Sequence, residues 1–145
     1  MTNTICAYYI PMPTYSENGM LENRAVPHTI SIENTYENMR SFVGGLLERI
    51  SIQVTSTTAL DFWFNEEGKL LDLPPSAVIA DDEGKILDYI CGNTLVLAST
   101  YDESGDELNI SLEGEVLEKL ISEILSPIRP FTIGENQMHY AIKMP

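Results

Sequence analysis

Basic residues are scarce in this 145-residue chain: eight Lys and Arg stand against 22 Asp and Glu, a formal net charge of −14. That balance excludes direct binding to nucleic acid or to an anionic membrane, since both need clustered cations. Long apolar runs are also missing. The longest, such as TLVLA, falls far short of the roughly 20 residues of a membrane-spanning helix. The opening MTNTICAYYI carries no basic n-region of a secretory signal, so the expectation is a soluble protein, cytoplasmic in its host cell. Cysteine is limited to Cys6 and Cys91, far apart and outside any CxxC pattern. Neither a disulfide framework nor a zinc ribbon follows, and a reducing compartment suits both thiols.

Catalytic signatures are thin as well. There is no GxGxxG and no GxxxxGK[ST], and VGGLL follows a helical pattern as its stop. His28 and His139 are the only imidazoles available to Cys91, and each lies in a strand-like run where a packed or edge role is the ordinary one. No nucleophile-elbow motif supports a Ser-His-Asp triad. Counting back from Gly68, Gly84 or Gly105 gives no EF-hand spacing. The reading is no catalytic residue, no metal site and no cofactor.

What is present suits a globular fold: 43% hydrophobic residues with four Phe, seven Tyr and one Trp, in a length typical of one domain spanning 1–145. ICAYYI reads as a strand, residues 11–27 as a loop rich in Pro, Asn and Ser, and HTISI as a second strand. A helix follows, with Asn34 as N-cap, Glu37 completing a capping box, Tyr36, Met39, Phe42 and Val43 on one face, and Gly44 and Gly45 as the stop. LLERISIQV reads as a strand, and ALDFWFNEEGKLLDLPP as a hairpin turning at Asn65 to Gly68. Alternation in DFWF sends Phe62 and Phe64 to one face and Trp63 to the other.

SAVIADDEGKILDYI reads as a short helix or an irregular loop, GNTLVLAST as a strand and YDESGDELN as a polar connection. SLEGEVLEKLISEILS has Val116, Leu117, Leu120, Ile121, Ile124 and Leu125 at the helical period, with Glu115 and Lys119 placed to pair across one turn and Ser126 and Pro127 at its end. QMHYAIKM closes the chain as a strand. The fold class expected is α+β: a single domain with a mixed or antiparallel sheet of about five to six strands and two amphipathic helices on one face.

The acidity is uneven. Residues 1–60 and 108–145 each carry a net −2, and residues 61–107 carry −10. The middle third holds Asp81, Asp82, Glu83 and Asp88 before GNTLVLAST, and Asp102, Glu103, Asp106 and Glu107 after it. These eight read first as solvated loops that aid solubility, and second as a docking surface for a basic partner. A strand of nine residues is about 30 Å long, which would set the two groups at opposite ends as two patches. Trp63 is the aromatic anchor to pair with them, since affinity comes from buried aromatics while charge steers.

IENTYENMRSFVGGLLERI, FNEEGKLLDLPPSAVI and ICGNTLVLAS, followed by an acidic turn and SLEGEVLEKL, resemble a small domain of phages and other bacterial mobile elements, domain of unknown function family 3846. The likeness runs from Ile32 to about Leu120 and rests mainly on glycines, hydrophobic positions and one turn. After NEEG the family tends to carry Asn in a Pro-Asn-basic stretch, where this chain has Pro75, Ser76 and Ala77, so no activity resting on that Asn is implied here.

The resemblance implies a mobile-element context, in which small acidic proteins inhibit host defence. Together with the charge it leads to the expectation of a non-catalytic inhibitor of a basic, nucleic-acid-handling host defence protein, of the anti-CRISPR or anti-restriction type, acting through an acidic surface that imitates DNA. The alternatives are a small-molecule or signal-nucleotide binder, for which Arg24, Arg40, Arg49, Lys69 and Lys85 are few and dispersed, and an accessory domain with no inhibitory role.

Overall fold

The computed structural model describes residues 3–18, 20–23, 26–133 and 136–144. The fold is α+β, built on a six-stranded antiparallel sheet. Five strands lie in the order β4 (His28–Glu33), β1 (Thr4–Ile10), β9 (Thr94–Tyr101), β6 (Ala59–Asn65), β5 (Leu47–Gln53). The sixth, β10 (Glu107–Ile110), shares one edge of β9 with β1: Tyr8 pairs with Val96, and from Ala98 onward the partner is Ile110 and its strand. The handover is tied by Ser111 Oγ, which accepts from Cys6 N at 3.0 Å, and by Leu112 N, which donates to Cys6 O at 2.9 Å.

A second sheet has the order β11 (Leu125–Ile133), β12 (Asn136–Lys143), β7 (Pro75–Ala80), β8 (Ile86–Cys91), with β12 and β7 parallel. A small ribbon of β2 (Thr14–Tyr15) and β3 (Leu21–Asn23) lies within the segment expected as loop.

Alternation on the large sheet sorts its side chains into two cores. Tyr8, Ile10, Ile52, Leu60, Phe62, Val96 and Ala98 face the second sheet, where they meet Ala77, Ile79, Ile90 and Ile142. On the opposite face Ile5, Ala7, Ile32, Leu95 and Leu97 meet Met39 and Val43 of α1 (Tyr36–Val43). Helix α2 (Gly114–Lys119), continued by a π-helical turn at Leu120–Ile124, buries Leu120 and Ile124 in the first core. The two helices therefore cover opposite faces of the large sheet, not one. The second sheet takes the place that a helix pair would have filled.

Several elements differ from the sequence reading for physical reasons. The N-cap of α1 is Thr35, whose Oγ1 accepts from Asn38 N at 3.1 Å. Asn38 reaches back to Glu33 N at 3.0 Å, so Asn38 does the work expected of Glu37, while Asn34 Oδ1 accepts from Asn109 Nδ2 at 3.0 Å. An eight-residue helix is too short to persist alone, and burial of Met39 and Val43, about 1.5–3 kcal/mol each, holds it to the sheet.

Residues 59–75 do not form a hairpin: β6 pairs with β5 and β9, residues 66–72 are turns, and β7 joins the other sheet. SAVIA is a strand buried at every position, the uniform pattern of a strand covered on both faces rather than of a helix. It forms a hairpin with β8. Helix α2 is cut short because Leu125 already pairs with Ile142, and Lys119 turns to Val54 O at 3.2 Å and Glu123 at 3.9 Å in place of Glu115.

Candidate functional site

The two acidic turns are built alike. In the first, Asp81 Oδ1 accepts from Glu83 N at 3.0 Å and from Lys85 N at 2.8 Å, and Gly84 takes φ +85°. In the second, Asp102 Oδ1 accepts from Ser104 N and Asp106 N, both at 2.9 Å, and Gly105 takes φ +84°. Each leading Asp thus stands in for a backbone acceptor and shapes its own turn. The positive φ explains why Gly occupies the fourth position.

Both turns project from the same end of the molecule. β8 returns from the first turn before β9 begins, so β9 delivers its far end, Tyr101, to that same side. The β5–β6 connection lies at this same end. Gln53 and Val54 share the wall of a cavity of about 240 Å³ with Asp82, and Thr57 O accepts from Thr100 Oγ1 at 2.7 Å. The two patches expected at opposite ends of a strand therefore lie at one end of the molecule, because the segment before β9 is a strand and not a loop. Lys119 and Lys143 line the cavity beside Asp82.

The remaining acids divide. Among the described residues Asp81, Asp82, Glu83, Asp102, Glu103 and Asp106 make no ion pair, whereas Asp88 pairs with Lys69 at 2.5 Å and Glu107 with Arg49. The hydrogen bond from Lys69 holds the Asp88 carboxyl below its ordinary range, and the same bond raises Lys69. Lys69 also lies 4.4 Å from the ring centre of Tyr89. Trp63 is half-buried, packed against the α1 core with the Arg49 guanidinium 5.1 Å from its ring centre. It belongs to the sheet face that packs on α1.

Cys91 is buried, and burial pushes its thiol up. His28 sits edge-on to Tyr9 with Nδ1 2.8 Å from Val26 O. The side chain of His139 lies outside the described residues. Among the described residues no group of three or more His, Cys, Asp or Glu is placed to hold a metal ion, and no helix is long and apolar enough to cross a membrane.

Sequence reasoning passed over Asp61. It is 1% exposed in the middle of β6, accepts from Ser51 Oγ at 2.5 Å, and leaves Oδ2 buried with no hydrogen-bond partner among the described residues. Two positions on, Trp63 Nε1 is also buried and unpartnered. Buried polar atoms are nearly always paired, so an orphaned carboxyl oxygen on a sheet face marks a place of interest. The available signal was an Asp inside an aromatic strand, where β-propensity disfavours it.

Arg49, Ser51, Asp61, Ser99, Tyr101 and Glu107 line a cavity of about 160 Å³ over this face. Arg49 lies on β5 and Glu107 on β10, with β6 and β9 between them. Their side chains pair across the face that carries Asp61.

No curated protein and no solved structure matches this chain. The family model of a domain of unknown function, DUF3846, matches residues 20–123, a stretch that takes in α1, the whole of the Asp61 face and both acidic turns, and by that match the chain belongs to this family.

Proposed function

We propose that the chain is a non-catalytic binding protein that docks through its acidic end on a basic, nucleic-acid-handling protein and occludes it. The observation that carries this reading is the placement, at one end of the molecule and on two internally braced turns, of six carboxylates that make no ion pair among the described residues. A rigid cluster of one sign steers a complementary partner and suppresses like-charged ones. The host-defence form of the proposal, inhibition of a CRISPR or restriction effector, draws on the resemblance to mobile-element domains in addition to the charge.

The test is capture of tagged protein from a bacterial lysate under rising salt, beside a D82N/E83Q/E103Q/D106N variant. These four substitutions spare Asp81 and Asp102, which shape the turns, and Glu107, which holds Arg49. A basic nucleic-acid-binding protein should be retained by the wild type, leave as salt rises, and be missing from the variant. Equal retention by both proteins sinks the reading.

A further inference from the structure

The face over Asp61 has one carboxyl group more than it has cations. Of the two acids on it, Glu107 is matched by Arg49, and Asp61 keeps an oxygen with no partner among the described residues although the residue is 99% enclosed. The cavity that Asp61 lines is about 160 Å³, well below the roughly 300 Å³ at which small-molecule pockets begin. Its wall includes Thr57 and Tyr101. Tyr101 is 67% exposed and immediately precedes the Asp102 turn, so the mouth opens beside the acidic end.

We infer that this cavity is a socket for a single basic side chain of the partner, an Arg or Lys that enters past Tyr101 and donates to Asp61 Oδ2. The inference rests on the docking reading above and names its anchor. A cation is selected because, of the unsatisfied buried groups, the one that lines this cavity is an acceptor on an acid. A guanidinium suits the site best, because its several donors can serve Asp61 and Glu107 together while its flat face lies on Tyr101. Entry requires Arg49 to release Glu107. Since Arg49 lies over Trp63, the only tryptophan of the chain, that release is visible in the indole fluorescence.

The experiment is titration of the full chain with acetyl-Gly-Arg-Gly-amide, with the same peptide carrying citrulline, and with the free cation agmatine. Trp63 emission and amide NMR shifts are read for wild type, D61N and D61S, each checked for native circular dichroism. A saturable response to the Arg peptide, at least tenfold weaker with citrulline and lost in a folded Asp61 variant, supports the socket. An equal response in folded D61N, shifts confined to the acidic turns, or no saturation by about 10 mM overturns it. Agmatine binding tenfold tighter than the peptide overturns the partner side chain in favour of a free small cation. Asp61 variants leave the turns intact and the four-fold turn variant leaves Asp61 intact. A failure of the socket is therefore distinguishable from a failure of docking: partner capture lost only with the turn variant rejects the socket alone.

Discussion

Gly68 stands against the backbone of Cys91 so closely that a Cβ added to it would lie 2.3 Å from the Cys91 carbonyl oxygen. The obstacle is main chain at the end of β8, which cannot swing away as a side chain can. Gly68→Ala is expected to cost several kcal/mol through displacement of a packed strand. Gly105→Ala, with open space around it and φ +84°, should cost only about 1–2 kcal/mol for the left-handed backbone. Urea unfolding of the two variants compares them directly, and equal losses would refute the contact.

The carboxyl of Asp102 does the same work for its turn as the carboxyl of Asp81 does for the other. Asp102→Ala should lower stability by about 1 kcal/mol, and Asp102→Asn, which keeps an acceptor at Oδ1, by much less. Amide exchange at Ser104 and Asp106 reports the turn itself. Protection that survives Asp102→Ala would show that Gly105 alone fixes the loop.

Burial raises the Cys91 thiol while Cys6 is only partly covered. In the native protein at pH 8, a thiol reagent should therefore leave Cys91 largely unmodified and reach it only on unfolding. Rapid native labelling of Cys91, located by mass spectrometry, would contradict the packing of β8 against the core.

The Lys69–Asp88 pair predicts a shallow pH profile. Asp88 is lowered in the fold, so its contribution is complete above roughly pH 4, the unfolded value, and fades as pH falls through the lowered folded value. Lys69 is raised, so its contribution is complete below about pH 10 and is lost as pH rises through the folded value. Both side chains are about half exposed, which keeps the pair below ~1 kcal/mol. The stability difference between wild type and Asp88→Asn should be flat between those limits and shrink outside them. A difference that grows toward low pH has the wrong sign.

Phe62 is fully buried between the two sheets. Phe62→Ala should cost about 3–5 kcal/mol by chemical denaturation. A loss below 1 kcal/mol would mean that the second sheet does not close over it.

Much of this architecture is legible in the residues. The split of Phe62 and Phe64 from Trp63 follows from strand alternation and is observed in the two cores. The stop at Gly44 is observed as a left-handed residue whose N–H returns to Arg40 O. Alternation fails as a guide where a strand is enclosed on both sides, and Pro75 to Ala80 is such a case. With that strand unread, its hairpin was lost, and with it the fact that Asp81 and Asp102 share one end. Asp61 was passed over for a different reason. A lone acid in a strand carries no motif, and its significance lies in the missing partner of one oxygen, which only packing reveals.

The parallel pairing of β7 with β12 also has a consequence for synthesis. Val78 finds its neighbour in Ala141 about 60 residues later, which at ribosomal rates is roughly 3–12 s. During that interval an almost wholly apolar strand has its β8 partner on one side and a bare backbone on the other. The growing chain should be most prone to sticking to other nascent copies in this window, and slower elongation after Ala80 should lower soluble yield without altering the finished protein.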